Sequence, residues 1–257
     1  MHVKLEGRIV IVTGAAQGIG RAVAVRAAQA GAAGLLLTDR QRADDAVAEV
    51  EAAGAPCAFV QADLAEPAAA AGIVAACAER FGSVDGLVNA AGVTDRASVL
   101  QADAETFDQL FAINTRAPLL LMRESIRAMR GRGAGGVIVN ILSINAHGGS
   151  ADLALYAASK AALALITRNA AHAHRFDRIR VNGVNVGWTD TPGERATQAG
   201  LGRSAAWLAD RAAEQPFGRL LDPDDVARLV LFLLADASHP TTGAIVDQEQ
   251  WAPGVRD

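Results

Sequence analysis

A chain of 257 residues with 51% apolar and 20% charged side chains has the material for a sizeable core and does not have the composition of a disordered polypeptide. Aromatics make up only 4%, which favours alanine-rich helices packed on a sheet over an aromatic-rich β-sandwich. A net charge of −4 without any basic run argues against nucleic acid as a partner, and the two cysteines, Cys57 and Cys77, are too few for a disulfide framework or a zinc site.

The first eight residues hold no apolar signal-peptide core, and no apolar run approaches the roughly 18 residues of a membrane span. A soluble cytoplasmic protein with reduced thiols is expected, with no membrane partner. Short β-branched or leucine-rich runs at 8–12, 34–38, 57–61, 86–89, 136–142, 180–186 and 243–247 alternate with alanine-rich stretches of helical period. The helical stretches lie near 19–30, 42–53, 67–81, 103–130, 154–175 and 223–235. The strand runs are nearly continuous in apolar character, as in strands covered on both faces. This alternation predicts an α/β fold, a single Rossmann-type domain over 1–257 with a doubly wound parallel sheet of about seven strands. The span 188–216 has helix-like pieces but no strand. It follows the carboxyl end of the sixth strand, where ligands bind in such sheets, and reads as a substrate lid.

The first strand runs into Thr13-Gly14-Ala15-Ala16-Gln17-Gly18-Ile19-Gly20 and then directly into a helix. Glycines in such a turn let a pyrophosphate approach the helix N-terminus, where free N–H groups and the helix dipole favour an anion. Asp39 ends the second strand, where a carboxylate can accept hydrogen bonds from a ribose diol. With no cation in the glycine turn, this favours NAD over NADP, although Arg40 is a contrary signal. Further on, Tyr156 and Lys160 stand at i and i+4 on one helix face. An ammonium near a phenol is expected to lower its pKa from about 10 and make it usable as a proton donor or acceptor. Tyr156 is the only tyrosine in the chain, and Ser143 closes the fifth strand at the same sheet edge.

With these motifs in register over roughly residues 6–247, the chain resembles the short-chain dehydrogenase/reductase family. The glycine turn is similar to that family's T-G-x-x-x-G-x-G, Asp63-Leu64 to its adenine-contacting acid, and Asn89-Ala90-Ala91-Gly92 to its N-N-A-G turn. Asn114, Ser143, Tyr156 and Lys160 match its catalytic tetrad, and Gln215-Pro216-Phe217-Gly218-Arg219 resembles a stretch before its last helix. The resemblance implies hydride transfer between an alcohol or ketone and a nicotinamide. Tyr156 would move the proton, Ser143 would steady the oxygen, Lys160 would bind the ribose, and Asn114 would anchor a water relay. It also implies nicotinamide contacts through Gly187, Thr189 and Thr191, and a homotetramer. Two stretches depart from the family: Val186-Gly187 replaces Pro-Gly, and Val246-Asp247-Gln248-Glu249-Gln250-Trp251 replaces V-D-G-G.

The polar composition of 188–216 suggests a sugar, polyol or sugar acid as the small-molecule substrate. Asn145, His147, Trp188 and Arg195 are expected to contact it alongside Ser143 and Tyr156. Trp207 and Trp251 could line the pocket or cover subunit contacts. His172 and His174, two apart on a helix, point different ways, so no metal is expected. The alternatives are an NADPH-dependent 3-oxoacyl-carrier-protein reductase and a non-catalytic nucleotide-binding regulator.

Overall fold

The computed structural model describes residues 3–148, 150–204 and 206–252. Its strands are β1 (Ile9–Thr13), β2 (Gly34–Asp39), β3 (Cys57–Gln61), β4 (Gly86–Asn89), β5 (Gly136–Ser143), β6 (Ile179–Val186) and β7 (Ile245–Gln248). They form one parallel sheet in the order β3-β2-β1-β4-β5-β6-β7. The helices are α1 (Gly18–Gln29), α2 (Asp44–Ala52), α3 (Ala69–Phe81), α4 (Ala104–Phe111), α5 (Ala117–Arg132), α6 (Ala154–Ala173), α7 (Pro192–Gly200), α8 (Trp207–Ala213) and α9 (Pro223–Leu234).

The continuous apolar strands are explained by two helical layers. Val10, Val12, Leu35, Leu37 and Val139 point to one side, against α1, α2 and α9. Ile9, Ile11, Leu36, Leu87 and Ile138 point to the other, against α3, α5 and α6. Each crossover returns the chain to a parallel neighbour. The order reverses between β1 and β4, which opens a crevice at the strands' carboxyl ends.

The stretch 103–130, expected as one helix, is three pieces. Asp103 caps α4 by accepting from Thr106 N at 2.8 Å, and a π-helical segment (Ala112–Arg116) separates α4 from α5. The cause lies in Pro118: it has no N–H to give the carbonyl of Asn114 four residues back, so the local hydrogen-bond register widens. The span 188–216, expected as a substrate lid, contains α7 and α8, and residue 205 within it lies outside the described residues. The seventh strand begins and ends later than its sequence run suggests, pairing Asn185 with Asp247 and Val186 with Gln248.

Two polar clusters brace the sheet from within. Asn89 Nδ2 donates to Asn140 Oδ1 at 2.7 Å, and Asn140 Nδ2 donates to Thr167 Oγ1 at 2.8 Å, joining β4, β5 and α6. Arg180, only 6% exposed, donates to the carbonyls of Leu233, Leu234, Ala235 and Thr241 and to Ser238 Oγ. It thereby satisfies the carbonyls that the end of α9 leaves open.

Candidate active site

The crevice is a cavity of about 1020 Å³ running from the glycine turn to α7. At the turn, Gly14 has a φ of +65°, and a Cβ there would lie 2.7 Å from the Ala91 Cα. A Cβ on Gly20 would lie 2.2 Å from the Gly14 carbonyl oxygen, so α1 can begin against the turn only with glycine at that place. Thr13 Oγ1 accepts from Ala90 N and Ala91 N, both at 3.1 Å, which fastens the turn after β4 to the turn after β1. Asp39 sits at the tip of β2 with Oδ2 accepting from Ala16 N and Oδ1 from Gln41 N, each at 3.0 Å. Both oxygens keep lone pairs for a ligand. Gln17, Gly18 and Ile19 line this half of the cavity, followed along the wall by Arg40, Asp63 and Leu64. The bare glycine floor, where a Cβ on Gly14 or Gly20 would clash, fits the diphosphate of a dinucleotide.

Asn89 does not join them. Its amide turns inward to Asn140, and it is absent from the cavity wall although Ala90, Ala91 and Gly92 are on it. Strand β4 ends in a buried polar ladder, and that ladder takes the side chain the sequence assigned to the cofactor.

Ser143, Tyr156 and Lys160 converge on the middle of the cavity. Ser143 Oγ accepts from Asn145 N at 3.2 Å and from Asn145 Nδ2 at 3.3 Å, and its hydroxyl faces that of Tyr156. Lys160, 4% exposed, donates from Nζ to the Ile141 carbonyl at 3.0 Å and lies 6.0 Å from the centre of the Tyr156 ring. Asn114 is fully buried one layer behind. Its Oδ1 accepts from Val93 N at 3.0 Å, while Nδ2 donates to the Val93 carbonyl at 2.9 Å and to Ser159 Oγ at 3.1 Å. A Cβ on Gly92 would lie 3.2 Å from both Asn114 Oδ1 and Lys160 Nζ, so the glycine keeps the space beside the ammonium open.

The protein's own groups do not produce the expected phenol pKa. Burial pushes Tyr156 up and the Glu194 charge adds to that, against hydrogen bonds with Ser143 and Thr94 that pull it down. Burial also pulls Lys160 down to about 8. Desolvation disfavours the charged form of each and is the largest influence on both.

Beyond the tetrad, Gly187, Thr189 and Thr191 line the wall, and so do Asn145 and Trp188. His147 and Arg195 do not line the cavity. His147 Nε2 lies 2.8 Å from Asp247 Oδ1 and 3.1 Å from Asn185 Nδ2, which ties the loop after β5 to β6 and β7. Arg195 forms a bidentate pair with Asp190, at 2.7 Å for each bond, on the outer side of α7. That pair holds the Asp190 carboxyl below its usual range. Asp190, just ahead of α7, lies beside Arg195 in the first turn of that helix, and that contact wins the side chain. Trp207 stacks behind Trp188 with ring centres 6.2 Å apart, whereas Trp251 is 55% exposed.

Sequence reasoning missed Thr94, Arg96, Asp152 and Glu249 on the wall. Thr94 follows the turn after β4 by two residues and was within reach of motif reasoning. Glu249 was not: a Cβ on Gly187 would lie 2.3 Å from Glu249 Oε2, a proximity that only the pairing of β6 with β7 creates.

A family model described as enoyl-(acyl carrier protein) reductase matches residues 14–248. The chain is 36% identical over 240 residues to the cis-4-hydroxycyclohexanecarboxylate dehydrogenase of Sinomonas cyclohexanicum, covering 93% of this chain and 94% of that one. It is 34% identical over 248 residues to the L-rhamnose 1-dehydrogenase (NAD(P)(+)) of Sphingomonas sp. (strain SKA58), covering 93% and 94%. The structure superposes on L-sorbose reductase from Gluconobacter frateurii, complexed with NADPH and L-sorbose, with a TM-score of 0.92 at 28% identity, covering 100% of both chains. With that agreement over nearly its whole length, the chain belongs to the short-chain dehydrogenase/reductase family, NAD(P)-dependent oxidoreductases acting on CH–OH groups.

Proposed function

We propose that this enzyme uses NAD to interconvert a secondary alcohol and a ketone, or a sugar hemiacetal and a lactone, on a sugar, polyol or sugar acid. The observation that carries this reading is the continuity of one cavity. It joins the glycine turn and Asp39 to Ser143, Tyr156 and Lys160, and those to a wall bearing Asn145 from the loop after β5 and Glu194 and Gln198 from α7. Polar side chains converging there suit a substrate with several hydroxyls, because a buried partner left unpaired costs about 1–3 kcal/mol. The names of the rhamnose and sorbose relatives support the same class.

A nicotinamide bound in the cavity supplies the hydride acceptor or donor. For oxidation, Tyr156 Oη takes the hydroxyl proton of the substrate, and Ser143 Oγ donates a hydrogen bond to the same substrate oxygen. Lys160 places a positive charge beside the forming phenolate and offers N–H groups to a ribose. Asn114 holds the 92–93 turn that keeps the space at Lys160 open. Asp39 accepts from ribose hydroxyls and repels a 2′-phosphate, giving the preference for NAD against the contrary pull of Arg40. The assembly is a homotetramer, supported by the exposed Phe107, Leu119 and Leu165 on α4, α5 and α6.

The test is a panel of aldoses, polyols, sugar acids and hydrophobic secondary alcohols with NAD and NADP, followed by reduced-nicotinamide absorbance. Turnover of polyhydroxylated substrates with NAD is expected. Activity confined to hydrophobic alcohols would overturn the substrate class, and equal efficiency with both cofactors would overturn the preference.

A further inference from the structure

Glu194 is the third residue of α7, where its backbone N–H donates to Thr191 Oγ1 at 3.0 Å. An acidic side chain at this place commonly turns back to the cap amide. Asp225 does so at the start of α9, accepting from Asp222 N at 2.9 Å. Glu194 turns the other way: Oε1 accepts from Trp188 Nε1 at 2.9 Å and from Gln198 Nε2 at 2.7 Å, which sets the carboxylate on the cavity wall. Both donors are neutral. Among the described residues no lysine, arginine or histidine forms an ion pair with it, unlike Asp190 on the same lid, which Arg195 neutralises. Among those residues Oε2 accepts no hydrogen bond at all. The carboxylate is half-buried, and its field reaches the Tyr156 hydroxyl. A negative group in a catalytic cavity, held rigidly by one oxygen with the other unused, is built to meet donors on a ligand.

We propose that Glu194 is a specificity-determining residue that accepts a hydrogen bond from a hydroxyl beside the reacting carbon, so that the enzyme selects vicinal diols and rejects a carboxylate at that place. This rests on the polyhydroxylated-substrate reading and narrows it. An O–H donor to a carboxylate makes one of the stronger hydrogen bonds, whereas a second carboxylate would meet an uncompensated like charge in a partly desolvated site.

The probes are cyclohexanol, cis-1,2-cyclohexanediol and 2-hydroxycyclohexanecarboxylate, each oxidised with NAD by the wild-type enzyme and by Glu194→Gln. The glutamine oxygen can still accept from Trp188 and Gln198, and an unchanged melting temperature checks that the lid is intact. The wild type is expected to favour the diol over cyclohexanol by about tenfold or more in kcat/KM and to use the hydroxy acid least. In Glu194→Gln the diol advantage should fall about tenfold, mainly through KM, while the hydroxy acid gains. The rising limb of the pH profile for oxidation should also move to lower pH as the charge facing Tyr156 is lost. A diol preference that persists unchanged in Glu194→Gln refutes the role of Glu194 and leaves the polyol reading standing. A wild type that prefers cyclohexanol to the diol refutes both.

Discussion

Tyr156 and Lys160 show how far a pair of residues can be judged by chemistry alone. Tyr156→Phe removes only the hydroxyl, so the fold and nucleotide binding should survive while turnover drops by about 10²–10⁴, the usual contribution of a positioned acid or base. Nucleotide binding by calorimetry beside a steady-state assay measures both. Lys160 carries a stability signature as well. Its folded pKa of about 8 lies below the ordinary 10.5, so between those values the unfolded chain holds a proton that the folded one has lost. Lys160 taken alone should therefore raise the unfolding free energy with pH there, by about 1 kcal/mol from pH 8 to 9. Over the same range and above it the trend is opposed by Cys57 and Cys77, whose thiols burial pushes from the ordinary 9.0 up to about 12. Urea titrations at pH 8 and 9 should show the wild type gaining about 1 kcal/mol on Lys160→Met, in which the cysteine contribution is the same, and Lys160→Met should also lose turnover.

At the scale of elements, the ends of helices decide what the cavity can hold. In Gly20→Ala the methyl group would meet the Gly14 carbonyl, forcing α1 away from the turn. A loss of about 1–3 kcal/mol is expected from overpacking, with nucleotide binding abolished in calorimetry. Asp222 caps α9 by accepting from Asp224 N at 2.8 Å and belongs to a reciprocal box with Asp225. Asp222→Ala should lower stability by about 1 kcal/mol in denaturant titrations and leave the catalytic rate unchanged, because α9 lies on the outer layer. The broken helix at Ala112–Arg116 belongs here too. Period and propensity read 103–130 as continuous, since a π segment differs from an α-helix by one shifted hydrogen bond that no periodicity records. The informative residue was Pro118, which the alanine- and leucine-rich surroundings obscured.

For the whole molecule, Arg180 is the side chain that joins the sheet to the last helix. Arg180→Met would orphan the carbonyls at the end of α9 and is expected to destabilise the protein by about 3 kcal/mol or more, read as a lowered denaturation midpoint. Assembly is the other property at this scale. The exposed Phe107, Leu119 and Leu165 on α4, α5 and α6 are apolar area that a tetramer would cover. Light scattering at micromolar concentration should give four times the chain mass, and a monomer peak would refute the proposed assembly.

The strand and helix pattern, the glycine turn and the Ser143, Tyr156 and Lys160 spacing could be read from the chain because each is a local property: apolar runs of strand length, a turn only glycine can make, two residues one helical turn apart. What the chain could not decide was the choice among partners distant in sequence. His147 and Asn89 carry groups suited to a ligand, yet Asp247, 100 residues from His147, and Asn140, 51 from Asn89, claim them. Glu249 reaches Gly187 only because β7 pairs beside β6. Local sterics and periodicity are written residue by residue, whereas competition for a polar group is settled by which donors and acceptors the packed sheet brings within 3 Å.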